Sequence, residues 1–154
     1  LMIFVTTGHC FPFDRLISRM DELAAEIDGE EIIIQTGAAT VKPKNCEFFD
    51  YVQTLEPYYD KARLVVTHGG FSTLELINRK IPMIIVPRQF RYKEHFNDHQ
   101  VEFAELLKLK LSVKIIMDTS EITAELLKSY DFVPEFRNDN LKRFRETIAH
   151  VLSP

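Results

Sequence analysis

The sequence predicts an α/β fold, a Rossmann-like and mainly parallel sheet with helices on both faces. Three observations support this prediction. Short apolar runs rich in β-branched residues alternate with amphipathic helical patterns along the chain. These runs are almost continuously apolar, which indicates strands buried on both faces. The chain has 154 residues, 45% of them hydrophobic, enough for one core, and residues 1–154 are predicted to form one domain.

The strands are predicted from apolar runs of four to six residues that end at glycine, proline or polar residues. They lie at 2–7, 31–36, 48–52, 64–67, 83–86 and 113–117.

The helices are predicted from apolar residues that recur on one face. They lie at 13–27, 55–62, 72–79, 95–110, 120–129 and 140–152. Gly29 ends the first helix, and Pro57 fits the first turn of the second. The last helix places four apolar residues on one face: Leu141, Phe144, Ile148 and Val151.

By analogy with doubly wound folds, the expected strand order is 3-2-1-4-5-6. In this order the first and fourth strands are neighbours whose crossovers leave in opposite directions, so their carboxyl ends frame a crevice. The sequence has Thr7-Gly8-His9 at one end and Thr67-His68-Gly69-Gly70 at the other. We therefore expect two distant glycine turns to face each other across one cleft.

Composition restricts the partners of the chain. Its formal net charge is −4 and no block of lysine and arginine is present, which argues against broad binding to nucleic acid or anionic membranes, although a local basic pocket stays open. Cys10 and Cys46 fit neither a zinc pattern nor a disulfide framework and are interpreted as reduced thiols of a cytosolic protein. No apolar stretch approaches the roughly 20 residues of a membrane span, so membrane contact is expected through a partner.

The Gly69-Gly70 turn favours a phosphate-bearing ligand. Glycines between a buried strand and a helix allow close backbone approach, and the first helical N–H groups attract anions. Ser72 and Thr73 add hydroxyl donors. The segment is neither a P-loop nor a dinucleotide-binding glycine fingerprint. The alternative, that the glycines only make a tight turn, stays open.

Glu75 lies one turn into the same predicted helix. A carboxylate there suits hydrogen bonds from ribose hydroxyls, as in other nucleotide folds. The presence of Glu75 is explained equally well by a favourable negative charge near the start of the helix.

A family resemblance lies in four segments: IFVTTGHCFPFDRLI, IIIQTGAATVKPKNCEFFDY, VTHGGFSTLELINRKIPMIIVPR and EHFNDHQVEFAELL. Together they resemble the small soluble PssE-type subunit of two-part polysaccharide glycosyltransferases. That group is similar to the donor-binding, C-terminal domain of glycosyltransferase family 28 and to the cytosolic half of the transferase that adds the second GlcNAc to dolichol-linked sugar.

The resemblance implies one half of a GT-B glycosyltransferase, in which two Rossmann-like domains enclose a cleft. It implies that Gly69, Gly70, Ser72 and Thr73 cradle the diphosphate of a UDP-sugar. It also implies that Glu75 holds the ribose and that Gln100 contacts the donor sugar or its nucleotide end. Phe71 departs from the small residues usual in relatives, which affects donor affinity and choice.

Further polar residues are candidates for the same cleft. His9 and His68, on the facing loops beside Gly8, suit either contacts to phosphate or structural hydrogen bonds. Arg88 would either offset the negative charge of a diphosphate or lie on the surface as a solvated arginine.

His95 and His99 have the i, i+4 spacing of helical metal ligands. No third ligand follows at a convincing spacing, so no metal is expected. The two histidines suit hydrogen bonds beside the donor or, alternatively, a structural role, and His99 is assigned to the donor site.

The predicted function is that of the donor-binding subunit of a two-component glycosyltransferase acting on a lipid-linked acceptor in exopolysaccharide or capsule biosynthesis. A membrane-anchored PssD-type partner is expected to bring the acceptor and the general base, so the chain would be cytoplasmic and peripheral to the inner face of the membrane. No cofactor is expected, and no catalytic residue is assigned. Two alternatives stay open: a noncatalytic activating subunit, and a complete small hydrolase or epimerase of UDP-sugars. The sequence selects neither the UDP-sugar nor the acceptor.

Overall fold

The computed structural model describes residues 1–135, 146–147 and 149–150. Within these residues, six strands form one sheet: β1 Met2–Thr6, β2 Glu31–Gln35, β3 Glu47–Phe49, β4 Ala62–Thr67, β5 Met83–Ile85 and β6 Lys114–Ile115. The helices between and after them are α1 Asp14–Ala24, α2 Glu56–Lys61, α3 Ser72–Asn78, α4 His99–Leu111 and α5 Ala124–Ser129.

The strand order is β3-β2-β1-β4-β5-β6, and every pairing is parallel. This confirms the predicted order. Thr6 at the end of β1 lies opposite Gln35 of β2 and Thr67 of β4. The carboxyl ends of the three central strands are therefore level with one another, and the loops that leave them meet at one edge.

Both faces of the sheet are buried, as predicted. On one face, α1 and α5 pack on strand residues such as Ile3, Val5 and Val66. On the other face, α2, α3 and α4 pack on the alternate residues, among them Phe4 and Val65. The central strands are apolar on both sides, which explains the continuous apolar runs in the sequence, whereas the edge strands β3 and β6 carry the exposed Glu47 and Lys114.

The helix predicted over 95–110 begins at His99, so His95 lies in the loop before it. Asn97 accounts for the difference, because its side-chain oxygen accepts a hydrogen bond from the His99 N–H at 3.1 Å. Its neighbour Asp98 accepts one from the Phe90 N–H at 2.8 Å. Side-chain bonds of this kind compete with helical backbone bonds, and they hold the chain out of the helix until His99.

The helix predicted over 120–129 is divided. A 3₁₀ turn, Thr119–Glu121, precedes α5, and Thr123 caps α5 by accepting a hydrogen bond from the Leu126 N–H at 3.1 Å. The apolar face predicted for a last helix over 140–152 lies outside the described residues. Across the part of the chain that the structure describes, every helix is too short or too polar to cross a bilayer.

Candidate functional site

A cavity of about 520 Å³ opens at the carboxyl end of the sheet. The β1–α1 loop, the β4–α3 loop and the segment after β5 form its walls. It lies where the crevice is predicted, between the ends of β1 and β4. Eight of the predicted site residues line it: Gly8, His9, His68, Gly70, Ser72, Arg88, His99 and Gln100.

The two glycine turns meet at the imidazole of His68. A Cβ atom added at Gly8, which has a φ of +70°, would lie 3.2 Å from His68 Cε1. One added at Gly70 would lie 2.3 Å from His68 Nε2, closer than real Cβ atoms approach. Both positions therefore need glycine for close approach to one ring. The expectation that the turns face each other across one cleft is confirmed.

His68 is a neutral hydrogen-bonding group at pH 7. Its Nδ1 lies 3.2 Å from the carbonyl oxygen of Thr6, and because a carbonyl only accepts, Nδ1 carries the proton. Burial of the ring and, secondly, the charge of Arg88 lower the pKa of His68 to about 3. His68 therefore offers Nε2 as an acceptor and brings no positive charge to the cleft.

Arg88 supplies the positive charge of the cleft. Its guanidinium donates to the carbonyl oxygens of Thr7 and of Phe11, the latter at 2.6 Å, and stacks 5.0 Å from the ring centroid of Phe13. The residue is 2% exposed, so the alternative of a solvated surface arginine is wrong. Burial lowers the pKa of Arg88 to about 10, which still leaves it charged at pH 7.

The charge of Arg88 has no carboxylate partner at ion-pair distance among the described residues. Carbonyl oxygens satisfy its donors without cancelling its charge. An anion in the cavity would therefore meet a buried cation that the charge of Glu94 offsets only from beyond ion-pair distance, and electrostatic attraction there is stronger than in bulk water.

The polar residues after β5 are linked to Arg88 and to each other. Gln100 accepts a hydrogen bond from the Arg88 backbone N–H at 3.1 Å. Asn97 lies between the two histidines, 2.9 Å from His95 Nδ1 and 3.2 Å from His99 Nδ1. Because His95 precedes α4, the two rings do not have the helical i, i+4 arrangement that suits a metal.

Three predicted site residues do not line the cavity. The Thr73 side chain is fully buried and its hydroxyl lacks a hydrogen-bond partner among the described residues, so it does not face the cleft as expected. Gly69 lies against β5, where an added Cβ would be 3.0 Å from Ile85 Cγ2. The Glu75 carboxylate receives a hydrogen bond from Arg79 Nε at 2.9 Å. Arg79 also pairs with Asp60 of α2 at 2.7 Å, which draws Glu75 to the flank of α3.

Residues 2–150 match the model of the glycosyltransferase family 28 C-terminal domain. This chain belongs to that family. Two curated relatives are named UDP-N-acetylglucosamine–N-acetylmuramyl-(pentapeptide) pyrophosphoryl-undecaprenol N-acetylglucosamine transferase. The protein from Thermosipho melanesiensis is 28% identical over 87 residues, which cover 54% of this chain and 25% of the relative. The protein from Thermosipho africanus is 26% identical over 107 residues, covering 68% and 30%.

The crystal structure of Acinetobacter baumannii MurG shares the fold of this family 28 domain, with a TM-score of 0.56 and 20% identity. The likeness covers 80% of this chain and 38% of that one. The fold therefore matches the Rossmann-like C-terminal domains of GT-B glycosyltransferases. The chain spans between a quarter and a third of the length of the two curated relatives.

Sequence reasoning missed several residues that line the cleft of the family 28 domain: Cys10, Phe11, Gln35, Leu55 and Phe96. Gln35 could have been predicted from the sequence, because it is a polar residue at the end of a buried strand adjacent to β1. It is 4% exposed and accepts a hydrogen bond from the Thr6 hydroxyl at 2.6 Å. The apolar residues carried no such signal, since only the folded loops bring them to the cleft.

We expect His68 to make the domain sensitive to mild acid. Its pKa is lower in the folded chain than the ordinary value of 6.5, so the unfolded chain binds more protons between about pH 6.5 and pH 3. The free energy of unfolding should therefore fall as the pH decreases through this window. At pH 5 the loss should be about 1–2 kcal/mol relative to pH 7.

Urea unfolding of the wild type and His68→Gln at both pH values measures this loss. Glutamine retains a donor for the Thr6 carbonyl but does not titrate. The variant should lose less stability between pH 7 and pH 5. The same loss in both proteins would contradict the assignment to His68.

Proposed function

We propose that this family 28 domain, residues 1–154, is the UDP-sugar-binding subunit of a two-component glycosyltransferase. The reaction would transfer the sugar to a lipid-linked acceptor in exopolysaccharide or capsule biosynthesis. The observation that carries the proposal is the cleft itself, in which the buried cation Arg88 lies beside two glycine turns that allow close backbone approach. The names of the two curated relatives support the class of donor and acceptor.

The diphosphate of the donor would lie between the two glycine turns. Arg88 would stabilise the negative charge of the diphosphate, while Ser72 and His9, which line the cavity, would donate hydrogen bonds to it. The first N–H groups of α3, which were expected to bind the diphosphate, already make hydrogen bonds within the chain. The Thr73 N–H donates to the Gly70 carbonyl at 3.0 Å, and the Leu74 N–H donates to the Phe71 carbonyl at 3.1 Å. Arg88 therefore carries most of the charge stabilisation.

The sugar of the donor would lie toward the start of α4, where Gln100 and His99 line the cavity. In the transfer, the acceptor oxygen forms the new bond to the anomeric carbon while the bond to UDP breaks and its electrons leave on the diphosphate. The acceptor hydroxyl gives its proton to a general base, which we assign to the partner subunit.

A membrane-anchored partner of the PssD type would supply the second half of the GT-B cleft. The complex would act at the cytoplasmic face of the membrane. Purified chain, candidate partner and the two co-expressed should be assayed with a series of UDP-sugars and a lipid-linked acceptor.

Transfer should appear only with both chains, and the purified chain alone should bind UDP in calorimetry. Robust transfer by the isolated chain would overturn the two-component proposal. If this chain activates its partner but does not bind UDP, it is a noncatalytic activating subunit instead.

Glu75 is proposed to contact the ribose after release from Arg79. Glu75→Ala should weaken UDP binding by about 1.5–3 kcal/mol, the range for hydrogen bonds to a charged group. The same substitution should barely change the affinity of a deoxyribose analogue, because that ligand lacks a hydroxyl to donate. Arg79→Gln is the matched control, since it frees the carboxylate and should retain UDP affinity. Equal losses for the two ligands would reject the ribose assignment.

A further inference from the structure

The segment after β5 carries an exposed surface beside the donor site, with which it shares His95 and Phe96. We call residues 90–96 the basic aromatic turn. Three of its aromatic side chains are largely solvent-exposed: Phe90 at 58%, Tyr92 at 46% and Phe96 at 57%. Arg91 and Lys93 alternate with them and are exposed as well. Exposed aromatic and basic residues therefore share one short projection.

Backbone and side-chain bonds fix the turn. Phe90–Tyr92 is a 3₁₀ turn, and Lys93 follows in the left-handed region with a φ of 57° and donates its N–H to the Phe90 carbonyl at 2.8 Å. The Glu94 carboxylate accepts hydrogen bonds from Arg15 at 2.8 and 3.0 Å and from the Gln89 N–H at 3.0 Å. A buried ion pair thus holds the base of the turn, and Phe90 is the most exposed of its aromatic side chains. Tyr92 lies under the guanidinium groups of Arg15 and Arg91, each 4.6 Å from its ring centroid. Phe96 packs on Phe11 and His95 and exposes its remaining surface.

The turn is locally cationic in a chain whose net charge is −4. Neither Arg91 nor Lys93 forms an ion pair with a carboxylate in the described part of the chain. Glu94 is 6% exposed and paired with Arg15. Asp98, the exposed acid nearest in sequence, is bonded to the Phe90 N–H at the base of the turn. The projection itself presents the two positive charges of Arg91 and Lys93, and the exposed Asp118 beside it lies close enough to interact with the charge of Arg91.

This combination matches the chemistry of an anionic lipid surface. Aromatic rings settle at the depth of lipid headgroups, and lysine and arginine are attracted to acidic lipids. A protein partner would also suit the aromatic residues and Arg91, but Lys93, a residue type depleted in the cores of protein interfaces, favours the lipid surface. We propose that the basic aromatic turn contacts an anionic phospholipid bilayer directly.

The position of the turn links this contact to the cleft. Phe96 both belongs to the turn and lines the cavity, where it stacks on His95 with ring centroids 4.3 Å apart. A bilayer that touches the turn would therefore lie beside the mouth of the cleft, where a lipid-linked acceptor would arrive. This last step rests on the proposed function, whereas the lipid contact itself does not.

The test is sedimentation of the purified chain with vesicles of phosphatidylglycerol and phosphatidylcholine, compared with vesicles of phosphatidylcholine alone. The wild type should partition onto the anionic vesicles, and less at high salt. Arg91→Gln combined with Lys93→Gln should lower the partition coefficient about 30-fold, from about fivefold for each cation. Phe90→Ser should lower it about fivefold through lost apolar contact.

Matched controls come from α4. Lys108→Gln combined with Lys110→Gln removes the same charge from an exposed helix end, and Leu109→Ser changes an apolar side chain that is 83% exposed. Both controls should bind vesicles as the wild type does. Absence of wild-type binding, or equal losses in the α4 controls, would overturn the proposal. No UDP or partner is present in this assay, so its result is separate from that of the donor-binding test.

Discussion

Gly70→Val should abolish UDP binding, with affinity weakened at least about 100-fold, or about 2.7 kcal/mol. Even the first added carbon would lie 2.3 Å from His68 Nε2 and 3.0 Å from Cε1. The ring cannot retreat easily, because Gly8 lies on its other side and Nδ1 is bonded to the Thr6 carbonyl. We expect the ring to be displaced into the space proposed for the diphosphate.

The variant should remain folded, since overpacking typically costs about 1–3 kcal/mol and domains are stable by about 5–15 kcal/mol. Circular dichroism and UDP calorimetry together separate the two effects. Gly29→Val is the control: no atom lies within 4 Å of the added Cβ, so UDP affinity should be retained even though its φ of +82° adds a backbone strain that Gly70 does not have. Unchanged UDP affinity in Gly70→Val would count against binding at this cleft.

Arg88→Met should destabilise the chain by about 2–5 kcal/mol and also remove UDP binding. Methionine fills much of the volume but leaves the buried carbonyls of Thr7, Phe11 and Pro12 without their donor, and each such loss is costly. Arg88→Lys should recover only part of the stability, because one ammonium cannot match the planar fork of arginine. Urea unfolding and UDP calorimetry measure the two consequences.

Arg91→Met makes the same chemical change three residues further on, at an exposed position, and should alter neither stability nor UDP affinity. A change below about 0.5 kcal/mol in the Arg88→Met variant, the range of ordinary surface substitutions, would show that the guanidinium does not hold the β1–α1 loop.

The sheet was predictable because its signals are local. Each strand is a short apolar run, and alternation with helices leaves few allowed orders once right-handed crossovers are required. The position of the cleft followed from that order, and Gly8 and Gly70 were found because glycine at a strand end is visible in the sequence. Element ends were less predictable: Asn97 and Asp98 delay α4 through side-chain bonds that a periodic pattern does not reveal.

The orientation of charged side chains was the least predictable feature. Arg88 follows Pro87 at a strand end, a position that suits solvent as well as burial. Its burial depends on the carbonyls of residues 7–12, which only the folded sheet brings near. Glu75 has the expected position on α3, but a neighbour four residues on, Arg79, draws its carboxylate aside. Such contacts depend on tertiary packing and have no periodic signature.

The contacts of Arg88 also bear on how the chain folds. They join residues that are 81 and 77 positions apart in sequence, so the β1–α1 loop gains its native shape only after β1, β4 and β5 have assembled. Closing such long loops is entropically costly and comes late in folding. A ligand that needs this loop therefore recognises only the fully assembled sheet. At a concentration 100 times its Kd, it would stabilise the whole cooperative unit by about 2.7 kcal/mol. In hydrogen exchange, the amides of β1, β4 and β5 should become protected together when it binds.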